Sequence, residues 1–426
     1  MKKRGRTWRC RRRRIQMQQP VNLSSTTGLI TLRQWMHKAD YHGNHLIPAL
    51  FTDTGRGLMT LKPLKVDDVI ISIPKRLLIT TQTTLDSEIG DYIKSCTPKL
   101  TPLQVLCIFL MYEKAKGLNS SWHPYISVLP QVYTTPAYFS NEELTSLPRF
   151  LSIQAQQQVL TVKGAYEAVA DILVTMETMF AFCHGVMGFE EFRWAWFVIN
   201  TRSVYMKQDV SEFLQPEVNT YALAPLLDLL NHSPTVEVSA AYNKSSQCYE
   251  IKAKTPYKKY DQVFICYGPH DNTKLLLEYG FTVPHNPHNV VMFEIDEIIK
   301  YLTCQLSSQH SHGALMEKKL QILHSNQMTS DLSCSLDGLS WKLQTVLRIL
   351  CMDFNELNSW KRILTGGECS KQTELKSKQL ANECIQGALI SNQETVQKVR
   401  LLPTSQHVDL VLSVCEERKL ILESQL

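Results

Sequence analysis

Two strand-rich stretches that lie far apart in the chain set the first constraint on this fold. Residues 46–80 break into short apolar runs cut by Gly, Pro and Asp, at 46–51, 57–61, 69–73 and 77–80. Short strands joined by tight turns fit that pattern. The same character returns within 220–267, at 236–242, 248–253 and 263–267, where β-formers are frequent. The two halves must meet in space to complete one sheet system, although residues 81–219 lie between them.

The intervening chain reads as helix. Thr101-Pro102-Leu103-Gln104 opens one: Thr101 can cap, Pro102 suits the first turn and Gln104 completes a capping box. Leu103, Leu106, Cys107, Leu110 and Met111 then recur at helical spacing, which predicts one buried face. Ser140 and Glu143 predict a second capping box, and 140–200 reads as mostly helical, with Gly164, Gly185 and Gly188 as possible breaks. A short helix is predicted at 30–39. Asp271 can cap another that stops at Gly280. From 294 to the end the pattern is helical, with a stripe at Leu339, Leu343, Val346, Leu347 and Leu350 and loops near 305–312, 325–335 and 365–375. Lys318, Lys319, Lys361 and Arg362 are expected on the exposed side of these helices.

An apolar content of 44% with 20% charged residues excludes a collagen, a coiled-coil rod and wholesale disorder. No run reaches the ~18–20 apolar residues of a membrane span; the best, 100–112, is too short and carries Thr101 and Gln104. The arginines at the start are followed by no apolar segment, so no secretory signal is expected. Residues 1–14 hold nine Lys/Arg and no acid, which leaves 36 basic against 40 acidic residues in the remainder. The basic character therefore sits in one tail, which reads as a nuclear-import signal, a loose contact to nucleic acid or acidic protein, or a solvated terminus. Residues 284–426 hold 14 basic against 16 acidic residues, so no phosphate-binding excess supports direct nucleic-acid binding there. The twelve cysteines are scattered without a Cys-x-x-Cys, and buried free thiols in a reducing compartment are expected. His285, His288, His310 and His312 read as loop histidines, and no metal is expected.

Four places can carry chemistry. Thr54-Gly55-Arg56-Gly57-Leu58 lies between two strand-like runs, where its glycines allow a sharp turn or a close backbone approach to a ligand. Asn200-Thr201-Arg202-Ser203 follows the aromatic run Trp194, Trp196, Phe197, and Arg202 reads as a site residue or a surface arginine. Asp228, Asn231, His232 and Ser233 crowd the end of an apolar run, either as a ligand site or as a capped helix end. Val263-Phe264-Ile265-Cys266-Tyr267-Gly268 is followed by Glu278-Tyr279-Gly280-Phe281.

In this order the four motifs resemble those of the SET-domain methyltransferases. The helical insertion at about 96–195 and the helical tail are similar to the layout of the Rubisco large-subunit methyltransferase class. The resemblance covers 46–282 through its motifs and 284–426 only in helical character. It lacks the cysteine-rich zinc clusters that flank many histone-type SET domains.

The resemblance implies an α+β fold. A basic disordered tail (1–26) precedes a SET domain (27–282), followed by an all-α substrate-binding domain (283–426). It implies S-adenosyl-L-methionine as cofactor, with Thr54, Gly55, Arg56, Gly57, Arg202, Asn231, His232 and Tyr267 around it. Tyr267 would be catalytic, and Arg202, Asp228, Tyr279 and Phe281 would meet the substrate, the two aromatics lining a lysine channel. The implied activity is protein-lysine N-methylation, on histones and other proteins, by a monomer found in nucleus and cytoplasm and not bound to membranes. Histidine methylation, or a SET-like scaffold with little turnover, are the alternatives.

Overall fold

The structure, a computed structural model, describes residues 20–43, 45–305 and 312–426. The basic residues 1–14 and His310 lie outside them. By its internal contacts the chain forms two compact units. One comprises Met1–Tyr133 and Val159–Gly268; the other comprises Thr134–Gln158 and Pro269–Leu426.

In the first unit the two strand-rich stretches do meet. A five-stranded sheet runs in the order Val21–Asn22, Leu46–Phe51, Gly55–Thr60, Gln262–Ile265, Asn231–His232. A second sheet places Val69–Pro74 beside Cys248–Ala253, which pairs in turn with Val238–Asn243. Each sheet thus joins a strand of the early stretch to one of the late stretch. Within the stretch expected as tail, Val21–Asn22 supplies an edge strand paired with Leu50 and Ala49.

The run 77–80 is not a strand. Lys75–Leu77 forms a 3-10 turn, Ile79 makes one bridge to Leu223, and Thr80 with Thr83 forms a capping box that starts the helix Thr81–Leu85. Its apolar residues are buried by that turn into a helix, a period-independent way of satisfying a short apolar run. The helix Pro102–Ala115 has the expected Thr101–Gln104 capping box, but it is central rather than one-sided. Every residue from Val105 to Tyr112 is at most 1% exposed. Hydrophobic on all sides, it is a core helix, and it packs against Phe189–Arg202. Gly164 does not break its helix, Arg149–Glu167, whereas Gly188 caps Phe189–Arg202.

The second unit is helical, with an addition the all-α expectation did not contain. Val291–Phe293, Leu332–Ser335 and Gly338–Leu339 form a small antiparallel sheet. Leu339 therefore lies in a strand, and the helical stripe begins at Leu343 in Trp341–Cys351. The sheet and helices share a core that includes Val291, Ile298, Leu332, Val346 and Leu380. Asp271 caps Asn272–Tyr279 by accepting from the Lys274 N–H, and Gly280 ends it at φ 77°. Lys319 is 5% exposed, contrary to expectation. Its Nζ donates to Leu350 O at 2.7 Å, satisfying a carbonyl at the end of Trp341–Cys351.

Candidate active site

The strand Gln262–Ile265 holds the site of the first unit together, because it pairs on both edges. On one edge Gln262 and Val263 face Met59 and Leu58 of the glycine strand, antiparallel. On the other, Phe264 and Ile265 face Asn231 and His232, parallel. Three of the four motifs thereby become neighbours through backbone hydrogen bonds alone.

The two glycines of the first motif do different work. Gly55 ends the hairpin loop at φ 70°, and a Cβ there would meet nothing within 4 Å. Its need for glycine is conformational. A Cβ on Gly57 would lie 2.7 Å from Gln262 Nε2 and 2.9 Å from Asn231 Nδ2. Gly57 leaves room for two amide side chains. Asn231 Nδ2 uses that room to donate to Arg56 O at 3.0 Å and to Thr54 O at 3.3 Å. Gln262, which the sequence did not single out, exchanges a hydrogen bond with the Thr54 hydroxyl.

His232 and Tyr267 are linked twice. The Tyr267 N–H donates to His232 Nδ1 at 3.0 Å, and the rings lie 5.2 Å apart between centroids. The Tyr267 Oη donates to Leu230 O at 2.7 Å. That hydroxyl has one proton, so toward any other group its oxygen accepts.

Arg202 ends the helix Phe189–Arg202, and its Nη1 reaches Asp228 O at 3.0 Å and Asp228 Oδ2 at 3.3 Å. The two side chains are 19% and 4% exposed. Tyr125, also missed from sequence, donates to the same Oδ2 at 3.1 Å. Asp228 sits in a tight turn that follows Leu226, whose φ of 68° and ψ of −42° are unfavourable for a side chain bearing a Cβ. Arg56 Nη1 donates to Val128 O at 2.9 Å.

Burial and charge oppose one another here. Burial pushes the Asp228 carboxyl up, against the pull of Arg202 and Tyr125. Burial works against the Arg202 charge, but Asp228 with Tyr133, Tyr125 and Tyr267 raises it on balance. Arg56 is lowered, by burial first and then by the like charge of Arg202. Burial lifts Tyr133 to about 12. Two guanidiniums thus act on one carboxylate, Arg202 in contact and Arg56 through its charge alone, an excess of positive charge suited to an anion.

Tyr279 and Phe281 belong to the second unit. Their ring centroids are 6.1 Å apart, and His270 stacks on Tyr279 at 6.2 Å. Three buried asparagines shape the adjoining loop: Asn272 bonds Val283 N and O, and Asn286 and Asn289 bond to Asn272. Among the described residues no group of three or more His, Cys, Asp or Glu could hold a metal ion. The described cysteines are free thiols, six of them buried. No described helix is long and apolar enough to cross a membrane.

The SET domain model matches residues 55–268, and the Rubisco LSMT substrate-binding model matches residues 310–422. The chain is 38% identical over 401 residues to SET domain-containing protein 4 of Mus musculus, covering 93% of this chain and 90% of that one. It belongs to the SET-domain methyltransferase family. Within that family it falls in the class of the Rubisco large-subunit enzymes, since it carries both of their domains. A more distant relative is the actin-histidine N-methyltransferase of Danio rerio, 27% identical over 73% of this chain and 50% of that one. The fold matches the structure of Rubisco LSMT bound to sinefungin and monomethyllysine, with a TM-score of 0.64 at 19% identity over 93% of this chain and 90% of that one.

Proposed function

We propose that this SET protein is an S-adenosylmethionine-dependent protein-lysine N-methyltransferase, with histone lysines among its substrates. The observation that carries the reading is Tyr267, whose only hydroxyl proton is held by Leu230 O beside the paired Asn231–His232 and glycine strands. When bound, the cofactor supplies an electrophilic methyl group on a sulfonium. The residues present fit it. Gly57 leaves room for the Asn231 and Gln262 amides, and the two guanidiniums of Arg56 and Arg202, in excess of the one Asp228 carboxylate, favour an incoming carboxylate.

Methyl transfer to a neutral amine needs alignment more than acid–base work. Tyr267 Oη, restricted to accepting, orients the amine and polarises the methyl. Asn231 and His232 hold the cofactor against Thr54, Gly55, Arg56 and Gly57, with Arg202 answering its carboxylate. Asp228 holds Arg202. Tyr279 and Phe281 meet the lysine side chain, for which aromatic faces suit a cation and exclude water.

Lysine as target draws support from the fold's likeness to an enzyme solved with monomethyllysine. Histidine methylation is the second reading, favoured by the likeness to an actin-histidine N-methyltransferase. Incubation of the full chain with labelled S-adenosylmethionine, histones and cell extract, followed by mass spectrometry of the modified residues, separates the two. Methyl-lysine supports the first reading, methyl-histidine the second, and no transfer leaves a binding scaffold.

The helical domain 283–426 selects the protein substrate, and the protein acts as a monomer in nucleus and cytoplasm. Residues 1–14 serve nuclear import. A fluorescent protein too large to diffuse through pores, fused to residues 1–20, should enter the nucleus; retention in the cytoplasm contradicts that role.

A further inference from the structure

The turn before Asn231 carries a buried carboxylate, and one of its hydrogen bonds comes from a residue outside all four motifs. Tyr125 lies in the short helix His123–Ile126 and is fully buried. Its hydroxyl crosses to Asp228 Oδ2 at 3.1 Å, the same oxygen that Arg202 Nη1 approaches at 3.3 Å. Asp228 therefore has a neutral donor and a charged donor on one oxygen, while its main-chain carbonyl takes a second contact from Nη1 at 3.0 Å. The other groups acting on it are Arg56 and Tyr133. The carboxylate is nearly inaccessible to water, so its charge is stabilised by these partners and not by solvent.

We propose that Tyr125 is a positioning residue for cofactor binding: its hydroxyl keeps the Asp228 carboxylate in place and, through it, the Arg202 guanidinium in a single arrangement. This rests on the cofactor reading above. It explains why a tyrosine is used at a fully buried position where phenylalanine would fill the same space. A ring alone would leave one carboxylate oxygen with Arg202 as its side-chain donor in a site where burial already favours the protonated acid. Protonation would break the pair and release Arg202 from its orientation.

The test is binding of S-adenosylhomocysteine to the full chain by calorimetry from about pH 8.5 down to about pH 5.5, spanning the range in which a buried carboxyl can titrate. Wild type, Tyr125→Phe, Asp228→Asn and the double variant are compared, with thermal unfolding of each. Tyr125→Phe should bind about 5- to 30-fold more weakly at neutral pH, the effect of an under-satisfied buried acceptor. Its affinity should also fall further than wild type as the pH drops. In the Asp228→Asn background the Tyr125 substitution should add little, because the carboxylate it serves is gone.

Wild-type affinity for Tyr125→Phe at every pH overturns the inference while leaving the cofactor reading intact. So does a pH-independent loss that simply adds to that of Asp228→Asn, since packing alone would produce it. A folded wild type that binds no S-adenosylhomocysteine overturns the cofactor reading and this inference together.

Discussion

The main-chain N–H of Tyr267 donates to Nδ1 of His232 at 3.0 Å, across the parallel pairing of their two segments. Because a main-chain N–H can only donate, Nδ1 is the acceptor and the proton of the neutral imidazole lies on Nε2. The same tyrosine returns a bond from its hydroxyl to Leu230 O at 2.7 Å. Tyr267 is thus held at both ends, by Leu230 at the end of the turn that carries Asp228 and by His232 in the strand that follows it. Position and hydrogen-bonding direction of the candidate catalytic oxygen follow from these contacts.

The two glycines near the site separate by variant. Gly55→Ala places a side chain at φ 70° with no protein atom within 4 Å of its Cβ, so it should cost about 1 kcal/mol of stability through the backbone and weaken cofactor binding less than a substitution at Gly57. Gly57→Ala puts a methyl against the Asn231 and Gln262 amides. It should weaken S-adenosylhomocysteine binding by about tenfold or more, the effect of displacing a buried polar group. Calorimetry with thermal unfolding checks both, and equal effects on binding would remove the distinction.

Asn272 is 2% exposed and its side chain bonds Val283 N, Val283 O and the Asn286 amide. Asn272→Ala removes the side-chain partner of the Val283 N–H and carbonyl and leaves the Asn286 amide with His270 O alone. Stability should fall by about 2–5 kcal/mol, well beyond a typical surface substitution. Denaturant unfolding measures it; a loss under about 0.5 kcal/mol would show that the network is not structural.

Glu143 supplies the pH dependence. Burial raises its carboxyl, but the Ser140 N–H, His407 and Ser405 outweigh that and hold it below the usual glutamate value. A carboxylate lowered in the folded state contributes stability that is present above its unfolded value and lost as the pH falls through the folded value. The gap in melting temperature between wild type and Glu143→Gln should therefore be widest near neutrality and close below about pH 4.5. A gap that stays constant across acid pH would contradict the bonding of this side chain.

Local features were legible because their causes are local. The strands Leu46–Phe51 and Cys248–Ala253 run as read, and the capping boxes at Thr101 and Ser140 form from residues three apart. The small sheet of the second unit was not, since Leu332-Ser333-Cys334-Ser335 is short, half polar and set among turn-forming residues. Pairing partners were only partly legible. The meeting of the two strand-rich stretches followed from their incompleteness, but the register that sets Gln262 beside Thr54 did not. Tyr125 gave no signal, because a tyrosine between Pro124 and Ile126 reads as core until Asp228, far along the chain, is placed against it. Lys319 likewise read as exposed until the helix end it caps was known.

We propose that Tyr267 Oη serves methyl transfer in a cofactor site built by the Asn231–His232 and glycine strands. The most direct test compares wild type and Tyr267→Phe for transfer of labelled methyl from S-adenosylmethionine to protein, with S-adenosylhomocysteine affinity measured in parallel. The ring is kept and only the hydroxyl is lost, so the fold and affinity should be nearly unchanged while turnover falls by roughly 10²–10⁴-fold. Equal turnover of Tyr267→Phe and wild type, with both proteins folded and binding, would contradict the account.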